Sequence, residues 1–194
     1  MSLMYIGRMY NMKYFNKIDS DNIYLSPISI EDADKYVEWL CNPNISDKLH
    51  STKRVYNSIN EKDFLNKMLE NGEYNFSIVR KSDNTLIGNC GLNRVDNIDR
   101  TATVGIFIGD SDNHNKGYGS EALIALLKYG FGVLNLNNID LNVFDFNLLA
   151  MNCYKKVGFK EYGRRHKAYY VNNEYHDVIS MEILREDFYE KYKI

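Results

Sequence analysis

The sequence predicts an α/β (α+β) fold in which helices flank a mixed, mostly antiparallel sheet, and three stretches carry the prediction. Thr103–Ile108 reads TVGIFI, a short apolar run rich in β-branched residues. A turn cluster, Gly109 to Asn113, joins it to a glycine-bearing turn and an amphipathic helix within His114–Phe131. Ile139, Leu141 and Val143 alternate with Asp140, Asn142 and Phe144, which gives a strand with one apolar face. At the end of the chain Lys160–Val171 and Glu174–Leu184 bracket Asn172-Asn173, which can supply the positive backbone angles of a tight hairpin turn.

The other elements follow in chain order. Residues 1–21 read as a tail ahead of the domain, native or added, and residues 22–190 as one domain, with neither repeats nor a composition break that would mark a linker. Ile23 to Ser26 is a short first strand. Ser29 caps a helix over Glu31 to Leu40, and Pro43 lies in the loop that closes it. Ile59 to Glu70 is a second helix, with Phe64, Leu65, Met68 and Leu69 on its apolar face and Asn71-Gly72 as its stop. Tyr74 to Arg80 is a strand whose two faces the alternation does not separate. The turn Ser82-Asp83-Asn84 leads into an antiparallel partner, Thr85 to Asn93, and Arg100 to Ile108 adds the next strand. Asn147 caps a later helix striped by Leu149, Cys153 and Val157, which Gly158 ends.

Composition narrows the class. With 194 residues, 44% of them hydrophobic, the chain can build a core of its own. A net charge of −2 argues against a general nucleic-acid binder. Three widely spaced cysteines, Cys41, Cys90 and Cys153, form no paired ligand motif and point to a reduced, cytoplasmic setting without structural disulfides or zinc. No apolar run approaches the ~20 residues that span a bilayer.

The stretch His114–Phe131 has the physical makings of an anion cradle. Gly117 and Gly119 let an anion approach the main chain. Ser120 can cap the helix, Glu121 suits its positive end, and Ala122, Leu123, Leu126 and Leu127 bury one face. The first amides of such a helix have no internal partner and favour phosphate oxygens. The same residues also describe an ordinary glycine turn before a helix. Neither common nucleotide loop fits: no Gly-Lys-Ser/Thr ending is present, and Ala122 replaces the third glycine of the dinucleotide fingerprint.

The order of elements resembles the GNAT superfamily of acetyl-CoA-dependent N-acetyltransferases over about Asn22 to Asp187. The family signature Gln/Arg-x-x-Gly-x-Gly/Ala stands as His114-Asn115-Lys116-Gly117-Tyr118-Gly119, with His114 in place of Gln/Arg. The later signature stands as Asn147, Ala150, Tyr154, Lys156, Gly158 and Phe159. Trp39-Leu40-Cys41-Asn42-Pro43 and Tyr175–Met181 look like the ribosomal-protein-alanine acetyltransferase branch.

The resemblance implies a GNAT-like sheet and acetyl-CoA as cosubstrate, with no metal. It places the CoA diphosphate on His114, Asn115, Lys116, Gly117, Tyr118, Gly119 and Ser120, and the pantetheine beside Ile106, Phe107, Ile108 and Asn147. Tyr154 matches the general acid, and a phenol of pKa about 10 can protonate a departing thiolate whose thiol has a pKa of about 8.5 when the two are aligned. Relatives place a glutamate on the strand before the loop. This chain has Thr103 there and no acid from Thr101 to Gly109, so the base comes from elsewhere, with Glu38, His176 and Asp177 as candidates, or is water. Arg164, Arg165, His166 and Lys167 form a basic run that could attract an acidic acceptor or serve as a solvated strand edge. Three functions stay open: acetylation of a protein N-terminal amine, acetylation of a small-molecule amine such as a polyamine, amino sugar or aminoglycoside, and a noncatalytic acyl-CoA-binding module. No membrane or nucleic-acid partner is expected, and the resemblance suits a monomer or a homodimer.

Overall fold

The computed structural model describes residues 13–72 and 74–194. The expected α/β class is what it shows. The strands are β1 (Ile18–Asp19), β2 (Ile23–Pro27), β3 (Tyr74–Arg80), β4 (Thr85–Asp96), β5 (Thr101–Ile108), β6 (Asn138–Phe144), β7 (Lys160–Val171) and β8 (Glu174–Leu184). The α-helices are α1 (Ala33–Leu40), α2 (Pro43–Ser46), α3 (Ser58–Glu70), α4 (Tyr118–Gly132), α5 (Leu148–Val157) and α6 (Arg185–Tyr192). The strands form one sheet in the order β1-β2-β3-β4-β5-β6-β8-β7. Its neighbours pair antiparallel except β5 and β6, which are parallel and therefore need the long α4 crossover.

Each face of the sheet carries its own core. On one, Leu123, Leu126, Leu127 and Phe131 of α4, Val157 of α5 and Phe188 of α6 pack on Leu25, Ile78, Ile87, Leu92, Ile139 and Ile183. Full burial of each such leucine stabilises the fold by about 2 kcal/mol, which pins α4 and fixes where its first turn points. On the other face Trp39, Tyr36 and Ala33 of α1 and Leu65 of α3 cover Tyr24, Val79 and Leu86.

Several elements match the expected bounds, and the mismatches have physical reasons. The final hairpin runs over the predicted residues, with Asn172 at φ 51° and Asn173 at φ 63° in its turn. Ser29 caps as expected, its hydroxyl accepting from the Glu31 amide at 3.3 Å, although the first turn is 3-10 rather than α. β3 is buried on both faces because helices cover both sides of the sheet, so no alternation was there to find. In α3, Leu65 is buried, while Phe64 and Leu69 of the predicted stripe are exposed and Glu61 is buried instead. Of the stripe expected on α5, Val157 is buried but Leu149 is exposed. The described part of the expected tail is structured: β1 pairs with β2, and Tyr14 is buried with its hydroxyl donating to Asp32 at 2.7 Å. The rest of that tail lies outside the described residues. The sequence reading did not include α6. No helix among the described residues is long and apolar enough to cross a membrane.

Candidate active site

β5 and β6 stay together only at Thr101–Thr103 against Asn138–Asp140. Beyond that point β5 follows β4 to Ile108, while β6 follows β8 to Phe144. The two strands part like a wedge and leave the β6-facing edge of Val104–Ile108 without a strand partner. The resulting cavity, about 1270 Å³, runs from the loop before α4 to the turn after α2. Ile106, Phe107 and Ile108 line it on one side, and Asn142, Phe144 and Asn147 on the other.

The loop presents main chain to this cavity. Asn115 (φ 59°) and Gly117 (φ 87°) are both left-handed, and Gly117 is the residue from which α4 starts. A β-carbon at Gly117 would meet no atom within 4 Å, so glycine is needed there for its backbone angle and not for space. The first turn of α4 has no side-chain cap. This corrects the expectation for Ser120, which sits inside the helix with its hydroxyl 3.2 Å from the Cys153 sulfur, tying α4 to α5. Glu121 is in the first turn as expected, but its carboxylate is occupied by the amides of Asn22, at 2.6 Å, and Ile23, at 3.1 Å. The uncapped helix start is a geometry that suits an external anion.

Two struts hold the loop. His114 donates from Nε2 to the Ile108 carbonyl at 3.1 Å, so this ring braces the end of β5. Buried Asn113 accepts from Arg80 at 2.7 Å, and Arg80 is fixed in turn by Asp83, whose pKa is held at about 2 by that guanidinium. Arg80 carried no sequence signal, since its partner Asn113 looked like any other turn residue. Tyr118, Gly119 and Ser120 line the cavity, while Lys116 is exposed at its edge and is not part of the wall.

The opposite wall is α5. Asn147 caps it, accepting from the Ala150 amide at 3.4 Å, and also lines the cavity. Tyr154 is 9% exposed, packs edge-on against Phe159 and reaches the cavity. Its hydroxyl has no hydrogen-bond partner among the described residues. Burial, with the Cys153 thiol beside it as a lesser cause, pushes the Tyr154 pKa well above the ordinary phenol value, so the group is a neutral proton donor at physiological pH.

At the other end of the cavity stand Asn44, Lys48 and His50 from α2 and the turn after it, Arg94 from β4, and Tyr162 and Arg165 from β7. His50, left-handed at φ 58°, lays its ring over Tyr169 at 4.6 Å, and Tyr169 stacks on Phe144 at 4.1 Å. The candidate bases are not here. Glu38 is mostly exposed, pairs with Lys35 at 2.9 Å and does not line the cavity. His176 bonds Asp145 at 3.1 Å. Asp177 accepts from the Lys167 amide and His166, with Arg164 also beside it, and those contacts hold its pKa below the usual carboxylate range. The basic run is thereby divided, for Arg165 faces the cavity while its three neighbours serve Asp177.

Asp140 went unnoticed in the sequence because it reads as one polar position of an alternating strand. It is the last residue of β6 in register with β5, where it pairs with Thr103. One of its carboxylate oxygens accepts from the Tyr162 hydroxyl at 3.1 Å. The other is buried with no hydrogen-bond partner among the described residues.

A wedge between parting strands, with uncapped helix amides at one end and a neutral buried phenol on the facing helix, suits acyl transfer from an anionic carrier. The chain belongs to the GNAT family: the profile described as "Acetyltransferase (GNAT) domain" matches residues 22–160. It is an acetyl-CoA-dependent N-acetyltransferase. An uncharacterized N-acetyltransferase, p20, from Bacillus licheniformis is 27% identical over 87% of this chain and 96% of its own. YdaF of Bacillus subtilis, provisionally named a ribosomal N-acetyltransferase, is 27% identical over 55% of this chain and 57% of its own. Among solved structures, the spermidine N-acetyltransferase from Vibrio cholerae in complex with CoA and spermine superimposes with a TM-score of 0.77 at 28% identity, covering 86% of this chain and 98% of that one.

Proposed function

We infer that this enzyme acetylates the N-terminal amine of a polypeptide by direct attack of the neutral amine on the thioester of acetyl-CoA. One observation carries the reading: a single cavity joins the uncapped amides of α4 to the unpartnered hydroxyl of Tyr154. The diphosphate lies on Asn115 to Ser120, the pantetheine passes Ile106, Phe107, Ile108 and Asn147, and Tyr154 protonates the CoA sulfur as the carbon–sulfur bond breaks. Against a polyamine acceptor stands the wall itself, which contains no aspartate or glutamate among the described residues. Likeness to YdaF and the stretches Trp39–Pro43 and Tyr175–Met181 favour the ribosomal-protein branch. A second reading, acetylation of a small amine, draws on the likeness to the Vibrio cholerae spermidine enzyme. A thiol-release screen with acetyl-CoA across N-terminal peptides, polyamines, amino sugars and aminoglycosides separates the two. Peptides are expected to lead, and turnover confined to polyamines overturns the reading.

The proton that the amine gives up needs an acceptor, and Glu38 does not line the cavity. Asp140 takes that role here. It stands beside Thr103, where relatives carry a strand glutamate, and the Tyr162 hydroxyl connects it to the cavity wall. Asp140→Asn is expected to lower kcat by roughly 10²-fold with KM for acetyl-CoA little changed. An unchanged kcat would remove Asp140 from the mechanism.

A further inference from the structure

We propose that the acceptor end of the cavity is an anion-reading subsite built by Lys48, Arg94 and Arg165, and that the amine accepted there belongs to an acidic polypeptide N-terminus. The proposal rests on the N-terminal reading above and narrows it to chains with carboxylates within the first few residues.

The three cations come from separate parts of the fold and meet on one cavity. Lys48 lies in the turn after α2, Arg94 at the irregular end of β4 with φ 51°, and Arg165 beside the register shift of β7. None of them has an ion-pair or hydrogen-bond partner among the described residues. Other lysines and arginines also stand clear of carboxylates, and what sets these three apart is that they share one cavity, whereas Lys35, Arg80, Lys81, Lys160 and Arg164 each sit against a carboxylate. Composition does not dictate a cationic cavity, since the chain as a whole carries −2. On β7 the distinction falls within one short run, where Asp177 engages Arg164, His166 and the Lys167 amide and leaves Arg165 to the cavity.

The CoA phosphates do not account for these three. The loop that offers amides to a diphosphate is at the other end of the cavity, and the further free cation in the wall, Lys156, stands on α5 beside it. Three unpaired cations on a wall with no carboxylate among the described residues outweigh the single charge of Asp140 behind Tyr162 and focus a positive potential, which draws in acidic chains and repels a polyammonium ligand. The same field disfavours the protonated form of an entering amine and so promotes its nucleophilic form.

The test uses three peptides with the same first residue, followed by aspartates, glutamines or lysines, assayed for thiol release by the full-length enzyme with acetyl-CoA. The expected order of kcat/KM is acidic, neutral, basic, with at least about a tenfold spread at low ionic strength that shrinks in ~0.5 M salt. Arg165→Glu and Lys48→Glu are expected to collapse or reverse the order, with KM for acetyl-CoA changing less than about twofold, and Arg165→Lys is expected to keep it. Equal rates for the three peptides, or a lead for the basic one, would overturn the proposal. If small amines release thiol and no peptide does, the N-terminal reading fails on its own. The charge claim is then judged on small amines, where an amino sugar phosphate ahead of spermidine upholds it and spermidine ahead sinks it.

Discussion

Tyr154→Phe is expected to lower kcat by about 10²-fold while leaving the affinity for acetyl-CoA and the melting temperature close to those of the parent enzyme. Loss of the acid leaves the thiolate to depart unprotonated, which acts on the chemical step. In the proposed mode, CoA binding rests on loop amides that the phenol does not touch. Stability is spared because the hydroxyl has no hydrogen-bond partner to lose, while the ring keeps its edge contact with Phe159. The pH behaviour follows from the same burial. With its pKa raised above the ordinary value of about 10, Tyr154 keeps its proton, so kcat should show no descending limb below that pH. The linkage has a definite sign. An unfolded tyrosine ionises near pH 10 and the buried one does not, so the stabilisation from burying this phenol is complete below that pH and is lost as pH rises above it. Thiol-release kinetics, calorimetric titration with CoA and thermal melts measure the three quantities. Equal losses in kcat and CoA affinity would recast Tyr154 as a packing residue.

Gly109→Ala is expected to destabilise the protein by about 3 kcal/mol, a drop in melting temperature of roughly 6–12 °C for a chain of this size. A β-carbon at this position would overlap the indole of Trp39. That ring has nowhere to go: it is 2% exposed, donates to Asp110 at 2.9 Å and packs edge-on against Phe107 and Tyr36. Gly109 in turn donates its amide to Ile87 at 2.9 Å, which fixes the direction in which the chain leaves β5 for the loop. The substitution is therefore expected to raise KM for acetyl-CoA in the fraction that stays folded. Thermal denaturation with and without CoA measures both effects, and an unaltered melting temperature would refute this account of the contact.

Much of the fold was legible because its elements carry their own punctuation. The β7–β8 hairpin is set by Asn172-Asn173, and α5 by Asn147 and Gly158, all of which act within a few residues of themselves. Legibility failed where burial comes from elsewhere in the chain. β3 is ambiguous in sequence because α3 and α4 cover opposite faces of the sheet, and Ser120 resembles a cap because no local pattern records that the left-handed Gly117 starts the helix. The site shows the same division. Gly117, Asn147 and Tyr154 fall in motifs of fixed spacing and line one cavity, whereas Arg80, Asp140, Arg94 and Lys48 depend on partners or walls distant in sequence.

By itself the sequence determined the α/β class, the acetyltransferase family, the loop and the facing phenol, since each is encoded by short-range order that the local backbone must obey. Only the tertiary structure decided which charges share the cavity. The parting of β5 from β6 opens the cavity that Lys48, Arg94 and Arg165 line and Glu38 does not, and that divergence is settled by the pairing of β5 with β4 and of β6 with β8. Pairing across the sheet is a long-range choice made by packing, and no local pattern in the chain records it.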